Sequence, residues 1–292
     1  MKNIPKISFR EDLKKTGFEC LKLAELTSRN KPKDHHPYQP HKIDFFAILV
    51  ITEGTAKHTV DFKQYTLKRN ECLIISQSQV HYFDSKSKYK GHLLLFTADF
   101  LIAHLPHPVY FKIVNLFNYH ISNPQYKLDK TIIKDINSLV NDFFQQSNYF
   151  KINIVAALLS IVLLKLTALN LTMSGFNNHS SLSVFEKFKD LVEQEYAISR
   201  NATYFAQKLH ISYKHLNEIC KAICNKSAKE FIDNFVILEI KRMLSATTIS
   251  VKEIGFEAGF NEPTNFLKYF KNITGQTPLE FKQNLEEVRH LP

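Results

Sequence analysis

Ser250–Lys271 reads SVKEIGFEAGFNEPTNFLKYFK, the most informative run in the chain. Ser250 followed by Glu253 is a capping box, in which hydroxyl and carboxylate each accept a backbone N–H at a helix start. Val251, Ile254 and Phe256 are apolar, and Gly255 is small where two helices must cross closely. Gly259 stands at a sharp turn of the kind that needs positive φ. Asn261 or Glu262 can cap a second helix, with Pro263 in its first turn. Phe266 and Phe270 then face inward, while Thr264, Asn265, Lys268 and Lys271 face outward. Gly275 and Pro278 end the unit. The pattern predicts a helix–turn–helix over about 250–272.

The same plan occurs earlier in Asn201–Lys221, NATYFAQKLHISYKHLNEICK. Asn201 is a candidate N-cap, Phe205, Ala206 and Leu209 form an inward face, and His210-Ile211 makes the turn. Ser212 can cap the next helix, on which Leu216 and Ile219 point inward. Tyr213, Lys214, Asn217, Glu218 and Lys221 are left outside. Ala206 aligns with Gly255, Leu216 with Phe266 and Lys221 with Lys271, so the unit at about 201–222 is an internal duplicate of the later one. Lys229–Ser245 is a continuous helical pattern between them, with Phe231, Ile232, Phe235, Leu238 and Met243. It would join the two units rigidly, so that their second helices could enter successive major-groove segments about 34 Å apart.

Upstream, Leu171–Ser183 (LTMSGFNNHSSLS) is polar and reads as a linker. Ile152–Leu171 is apolar around most of its circumference, and such a helix needs burial in a core or against a second subunit. Its most apolar part, Ile152–Leu164, is short for a bilayer that takes about 20 residues. Leu128–Gln146 is amphipathic, and Ala98–His120 is helical but broken near Pro106 and Pro108. Residues 41–97 read as β: Ile43–Ile51 (IDFFAILVI) ended by a turn at Glu53-Gly54, Thr55–Phe62, a polar connection over Tyr65–Glu71, then Cys72–Ser76 and His92–Phe96. Short strands at this spacing suggest a small barrel or jelly roll. The expected architecture is α+β, with an N-terminal β-barrel and helical dimerisation segment over 1–170, a linker over 171–183 and an all-α domain over 184–292.

Composition narrows the classes further. No two of the 7 glycines form a GxGxxG or P-loop. Cys20, Cys72, Cys220 and Cys224 make no disulfide framework, and the last pair, one helical turn apart, reads as packing. The N-terminus MKNIPKISFR lacks an apolar signal core, so a cytoplasmic protein is expected. The formal charge is +10, which favours an acidic partner. The excess sits in residues 1–174, with 23 basic against 14 acidic side chains, while 175–292 holds 15 against 14.

Val251–Lys282 (VKEIGFEAGFNEPTNFLKYFKNITGQTPLEFK) resembles the signature of the AraC-type (AraC/XylS) transcription regulators. The resemblance is carried by Ile254, Gly259, Phe260, Phe266, Phe270, Lys271, Gly275, Thr277, Pro278 and Phe281. The first unit is similar more loosely, through Ala206, Leu209, Ser212, Leu216 and Lys221, and Lys241-Arg242-Met243-Leu244 resembles the end of the family's connecting helix. Departures are Gly255 for the usual Ala, Asn225 for Gly, Val236 for Arg and Lys282 for Arg. IDFFAILVITEG and SQSQVHYF resemble the cupin-type sensor half of such regulators.

The resemblance implies a sequence-specific DNA-binding transcription regulator modulated by a small-molecule effector. It implies base contacts from Lys214, Asn217 and Glu218 in the first unit and from Pro263, Thr264, Leu267 and Lys268 in the second. Phosphate contacts fall to Ser212, Lys221 and Lys271. These are suitable donors and acceptors: Lys for guanine, Asn for adenine, Glu for cytosine, Leu for a thymine methyl. His41, His81 and Tyr82 are the candidates for the effector pocket. The expected partners are double-stranded DNA, the effector, a second copy of the chain and RNA polymerase, with no membrane, cofactor or catalytic residue. The alternative is a metal-dependent cupin enzyme with a helical appendage. It would draw on His35, His36, His41 and His81, but it lacks an HxH pair, and Glu53 is poorly placed as a ligand.

Overall fold

The computed structural model describes residues 4–9, 16–26, 37–86, 89–106, 109–110, 113, 115–119, 122–145, 149–174, 179–246 and 249–289. His35, His36, Pro108 and residues 175–178 of the expected linker lie outside these. The chain divides into two compact units, Pro5–Met173 and a second that takes in Ser174–Pro292 together with Met1–Ile4.

The described strands of the first unit are Lys6–Ile7 (β1), Phe18–Lys22 (β2), His41–Ile43 (β3), Phe46–Val60 (β4), Lys63–Lys68 (β5), Glu71–Ile75 (β6), Val80–Phe83 (β7), Tyr89–Phe96 (β8) and Gln125–Lys127 (β9). β4 organises them. Its first part pairs with β6 and β8, and its last part with β5 and β7. β2 extends the sheet beyond β8, β9 beyond β6, and β3 and β1 beyond β7. One bent strand thus serves both layers of a half-barrel. The run Ala47–Ile51 is apolar without alternation because both of its faces are buried. Ala47, Leu49 and Ile51 enter the barrel core with Leu73, Ile75, Leu93 and Leu95. Ile48 and Val50 face the opposite core, which the helices cover.

Two expectations fail here. Glu53-Gly54 is not a turn, because β4 passes through it with a register shift between Ile51 and Glu53, and Gly54 takes φ 78°. A polar, glycine-bearing interruption marks a bulge as well as a turn, and sequence does not separate them. The chain reverses instead at Asp61-Phe62, both at positive φ as a two-residue hairpin requires. Second, the expected connection over Tyr65–Glu71 holds most of β5. Among the described strands it pairs only with β4, and it is polar because an exposed edge must resist further pairing.

Among the described residues, α-helices that cover the outer face are Ala98–His104 (α1), capped by Thr97, Lys130–Phe144 (α2), capped by Asp129, and Lys151–Ser174 (α3). Val155, Ala156, Leu159, Val162, Leu163 and Leu166 of α3 enter this core. Lys165 Nζ meets Asp135 of α2 at 2.6 Å. α3 is longer than the Ile152–Leu164 core, and by length and composition Lys151–Leu169 would suffice to cross a membrane. Its buried face and its ion pair instead commit one side of it to protein.

The second unit comprises His179–Glu195 (α4), Ala202–Lys208 (α5), Tyr213–Cys224 (α6), Ala228–Ala246 (α7), Val251–Glu257 (α8), Pro263–Thr274 (α9) and Pro278–Arg289 (α10). The expected linker is therefore helical at both ends, since α3 runs to Ser174 and α4 starts at His179. Phe185 and Phe188 of α4 stack against Phe231 at 5.1 and 5.3 Å, and Phe188 meets Phe205 at 5.9 Å. In the second helix–turn–helix, a Cβ on Gly255 would stand 2.9 Å from the Phe266 ring, so the helix crossing requires a glycine or a small shift of that ring.

Candidate functional site

The two helix–turn–helix units build from local chemistry as the sequence predicts. Asn201 Oδ1 accepts the Thr203 N–H at 2.9 Å, and Ser212 Oγ accepts the His215 N–H at 3.1 Å. The Ser250–Glu253 box is reciprocal, at 3.2 and 2.7 Å. The turns place His210 at φ 56° and Gly259 at φ 79°. Of the two proposed caps of α9, Glu262 holds the position, without a side-chain hydrogen bond, and Pro263 begins the helix.

The duplication extends further than the two motifs. Asn225 and Gly275 end α6 and α9 in the left-handed conformation. Ser227–Glu230 and Thr277–Glu280 then form matching reciprocal caps for α7 and α10. The Ser227 and Thr277 backbone N–H groups hold the Glu230 and Glu280 carboxyls below the usual carboxylate range, so both are ionised at neutral pH.

On the outer face of α6, Lys214, Glu218 and Lys221 are exposed, as is Ser212 ahead of the helix. On α9, Thr264, Leu267, Lys268 and Lys271 are exposed and Pro263 is half-buried. Asn217 differs. It is half-buried, and its Oδ1 accepts the Ala228 N–H at 3.0 Å. Its carboxamide therefore holds the first turn of α7. By the 50-residue offset the matching residues in the second unit are Leu267 and Pro278, and proline has no N–H to satisfy. Sequence reasoning had no local signal for this use of Asn217, because the partner is 11 residues away on another helix.

The half-barrel holds a second constellation. His41 and His81 are buried and directly opposite each other in register, with ring centroids 4.2 Å apart. His58, which sequence reasoning missed, joins them from β4. Its Nε2 lies 3.2 Å from His81 Nδ1 in a hydrogen bond, and its ring stands edge-on to Phe83 at 4.4 Å. The signal was present in the alternation Ala56–His58–Val60, which puts His58 on the inward face. Burial, with a contribution from His41, pushes the His58 imidazole down to about 3, so it is neutral across the physiological range. His58 Nδ1 has no hydrogen-bond partner among the described residues. Tyr82 does not join the cluster. It is half-buried, and strand alternation turns it to the face opposite His81 and Phe83.

For a metal, the donors do not converge. No group of three His, Cys, Asp or Glu among the described residues is arranged to hold an ion. Glu53 lies outside, 2.8 Å from Lys90. Cys220 is buried, and Cys224 Sγ donates to the Cys220 carbonyl at 3.1 Å, as packing thiols do.

Comparison with known proteins agrees with this division. A helix-turn-helix domain family matches residues 205–284, and an AraC-like ligand binding domain family matches residues 25–105. The Msm operon regulatory protein of Streptococcus mutans is 27% identical over 110 residues, 38% of this chain and 40% of that protein. The chain thus spans well under half the length of that relative. Full-length similarity is weaker. The uncharacterized HTH-type transcriptional regulator YfiF of Bacillus subtilis is 22% identical, covering 85% of this chain and 80% of its own. The HTH-type transcriptional activator RhaS of Yersinia pseudotuberculosis is 20% identical, covering 87% and 90%. Among solved structures, ToxT from Vibrio cholerae superposes with a TM-score of 0.44 at 14% identity, over 91% of this chain and 98% of that one. With the sensor-type domain matched in the first half and the duplicated helix–turn–helix matched in the second, the chain belongs to the AraC/XylS-type transcription regulators.

Proposed function

We propose that this chain is a cytoplasmic transcription regulator that binds a specific double-stranded DNA site through α6 and α9 and responds to a small molecule held by its half-barrel. The observation that carries the reading is the pair of in-register units, each with a capped, exposed second helix bearing polar side chains. In this reading Lys214 and Glu218 of α6, with the amino group of Asn217, contact base edges, as do Pro263, Thr264, Leu267 and Lys268 of α9. Ser212, Lys221 and Lys271 contact phosphates. The test is selection from a random duplex library followed by gel shift. Lys268→Ala should weaken the selected site by about 1–3 kcal/mol and relax one base position. Unchanged affinity and unchanged sequence preference would remove Lys268 from the interface.

The effector reading rests on His41, His58 and His81, three buried imidazoles brought together by β3, β4 and β7. A thermal-shift screen of metabolites reads it, since a ligand of the native state raises the melting temperature.

A dimer is supported by α3. Opposite its buried face, Ile154, Ala157, Ile161, Leu164 and Ala168 are exposed, Ile161 at 42%. Their spacing alternates 4 and 3, the repeat of a two-helix seam, and a second copy of α3 supplies the matching surface. RNA polymerase is the further partner of a regulator bound at a promoter, and a pull-down on promoter DNA would read it.

A further inference from the structure

Arg200 lies ahead of α5, at the entry to the first helix–turn–helix, yet its side chain is spent on the second. Nη1 donates to the Ala258 carbonyl at 2.8 Å and Nη2 to the Gly259 carbonyl at 2.9 Å. These are the turn residues between α8 and α9. The guanidinium also lies 3.9 Å over the Phe260 ring. Phe260 packs on Phe266 and Tyr269 of α9 at 5.4 and 5.2 Å, and Tyr269 donates to Asp233 of α7 at 2.6 Å. The backbone closes the same junction, since a Cβ on Gly259 would stand 1.8 Å from the Ala197 carbonyl oxygen.

The helix α7 alone would join the two units by one connection, and one helix transmits bending and twisting. The Arg200 junction is a second connection, made at the turn of the second unit. It closes a ring: first unit, α7, second unit, and back through Arg200. A planar fork on two successive carbonyls fixes orientation as well as distance. We infer that Arg200 is a positioning residue for DNA recognition, setting the separation and angle of α6 and α9 and with them the half-site spacing that the protein accepts.

The inference rests on both units binding DNA, and the test separates the two ideas. Full-length wild type and Arg200→Ala are each selected against a random duplex library, then measured on the selected site and on versions with one base pair inserted or removed between half-sites. Wild type should select one spacing and bind the altered spacings at least tenfold more weakly, the effect of about one mismatched pair. Arg200→Ala should keep both half-site sequences, accept several spacings, and bring that ratio within about threefold. A variant that melts normally and keeps the wild-type ratio would overturn the assignment. If Arg200→Ala is unfolded at the assay temperature, Arg200→Gln, which keeps one donor group, is read in the same way. If wild type selects no sequence, the DNA-binding reading fails on its own. The positioning role is then decided without DNA, by spin labels at the exposed positions Ala222→Cys and Asn272→Cys in a Cys224→Ser background. A single narrow distance that broadens in Arg200→Ala upholds it, and one that stays narrow overturns it.

Discussion

Asn217 shows how a side chain on a recognition helix can belong to the fold. Its Oδ1 accepts the Ala228 N–H, one of the donors that a helix start leaves without an intrahelical partner. The second unit solves the same problem by deleting the donor, with Pro278 in place of Ala228 and an exposed Leu267 in place of Asn217. Asn217→Ala should therefore destabilise the protein by about 1–3 kcal/mol, the cost of a buried donor without a partner. Ala228→Pro should restore most of that loss in the double variant, because Ser227 already caps the helix and proline suits its first position. Urea melts of the four proteins read the cycle, and equal losses with and without proline would refute the pairing. His58 makes a second prediction. Its pKa falls from 6.5 in the unfolded chain to about 3 in the fold, so the unfolded state binds the extra proton. Its penalty is absent above about pH 6.5 and grows as pH falls toward 3, reaching about 1.4 kcal/mol one unit below the unfolded value. Melting of the first unit should decline from pH 7 to 5 in wild type, and His58→Gln should flatten that decline. Parallel pH profiles would show that His58 is not the group responsible.

The helices and strands divide sharply in how far sequence discloses them. The caps Asn201, Ser212 and Ser250, the turn glycine Gly259 and Pro263 act within a few residues of themselves, so both helix–turn–helix units are readable from the chain alone. The hairpin at Asp61-Phe62 is hidden because two ordinary residues adopt positive φ there, and the bulge at Gly54 imitates a turn. What His58 and Arg200 bind is illegible for a third reason. Their partners are fixed by tertiary structure, 23 and 58 residues away. α3 is an intermediate case, since its all-round apolar sequence predicts a need for cover without saying which face goes where. The structure buries Val155, Leu159, Val162 and Leu166 and leaves Ile154, Ile161 and Leu164 at the surface. If that second stripe is a subunit seam, Ile161→Glu with Leu164→Glu should convert a dimer to a monomer in sedimentation velocity. Melting of the isolated subunit should stay within a few degrees, because neither side chain lies in the core. A double variant that still sediments as a dimer would place the seam elsewhere.

Charge is distributed over the whole molecule in a way that neither unit explains alone. The second unit carries the recognition helices, yet residues 199–282 hold only 12 basic against 8 acidic side chains. The +10 arises almost entirely in residues 1–174, where Lys63, Lys68 and Lys127 are exposed on β5 and β9. Edge lysines discourage strand addition, and a charge of either sign acts in that direction. What lysine adds is sign. A net positive field raises the encounter rate with DNA without contributing to sequence reading, and it acts over about 10 Å at 0.1 M salt. Replacing Lys63, Lys68 and Lys127 with Glu lowers the formal charge from +10 to +4. Association with the selected DNA site should then slow several-fold at low salt, converge with wild type as salt rises, and leave the dissociation rate and base preferences unchanged. Stopped-flow fluorescence across a salt series measures this. Equal association rates at low salt would detach the sensor half's charge from DNA binding and leave its basic character to be explained by what the barrel binds.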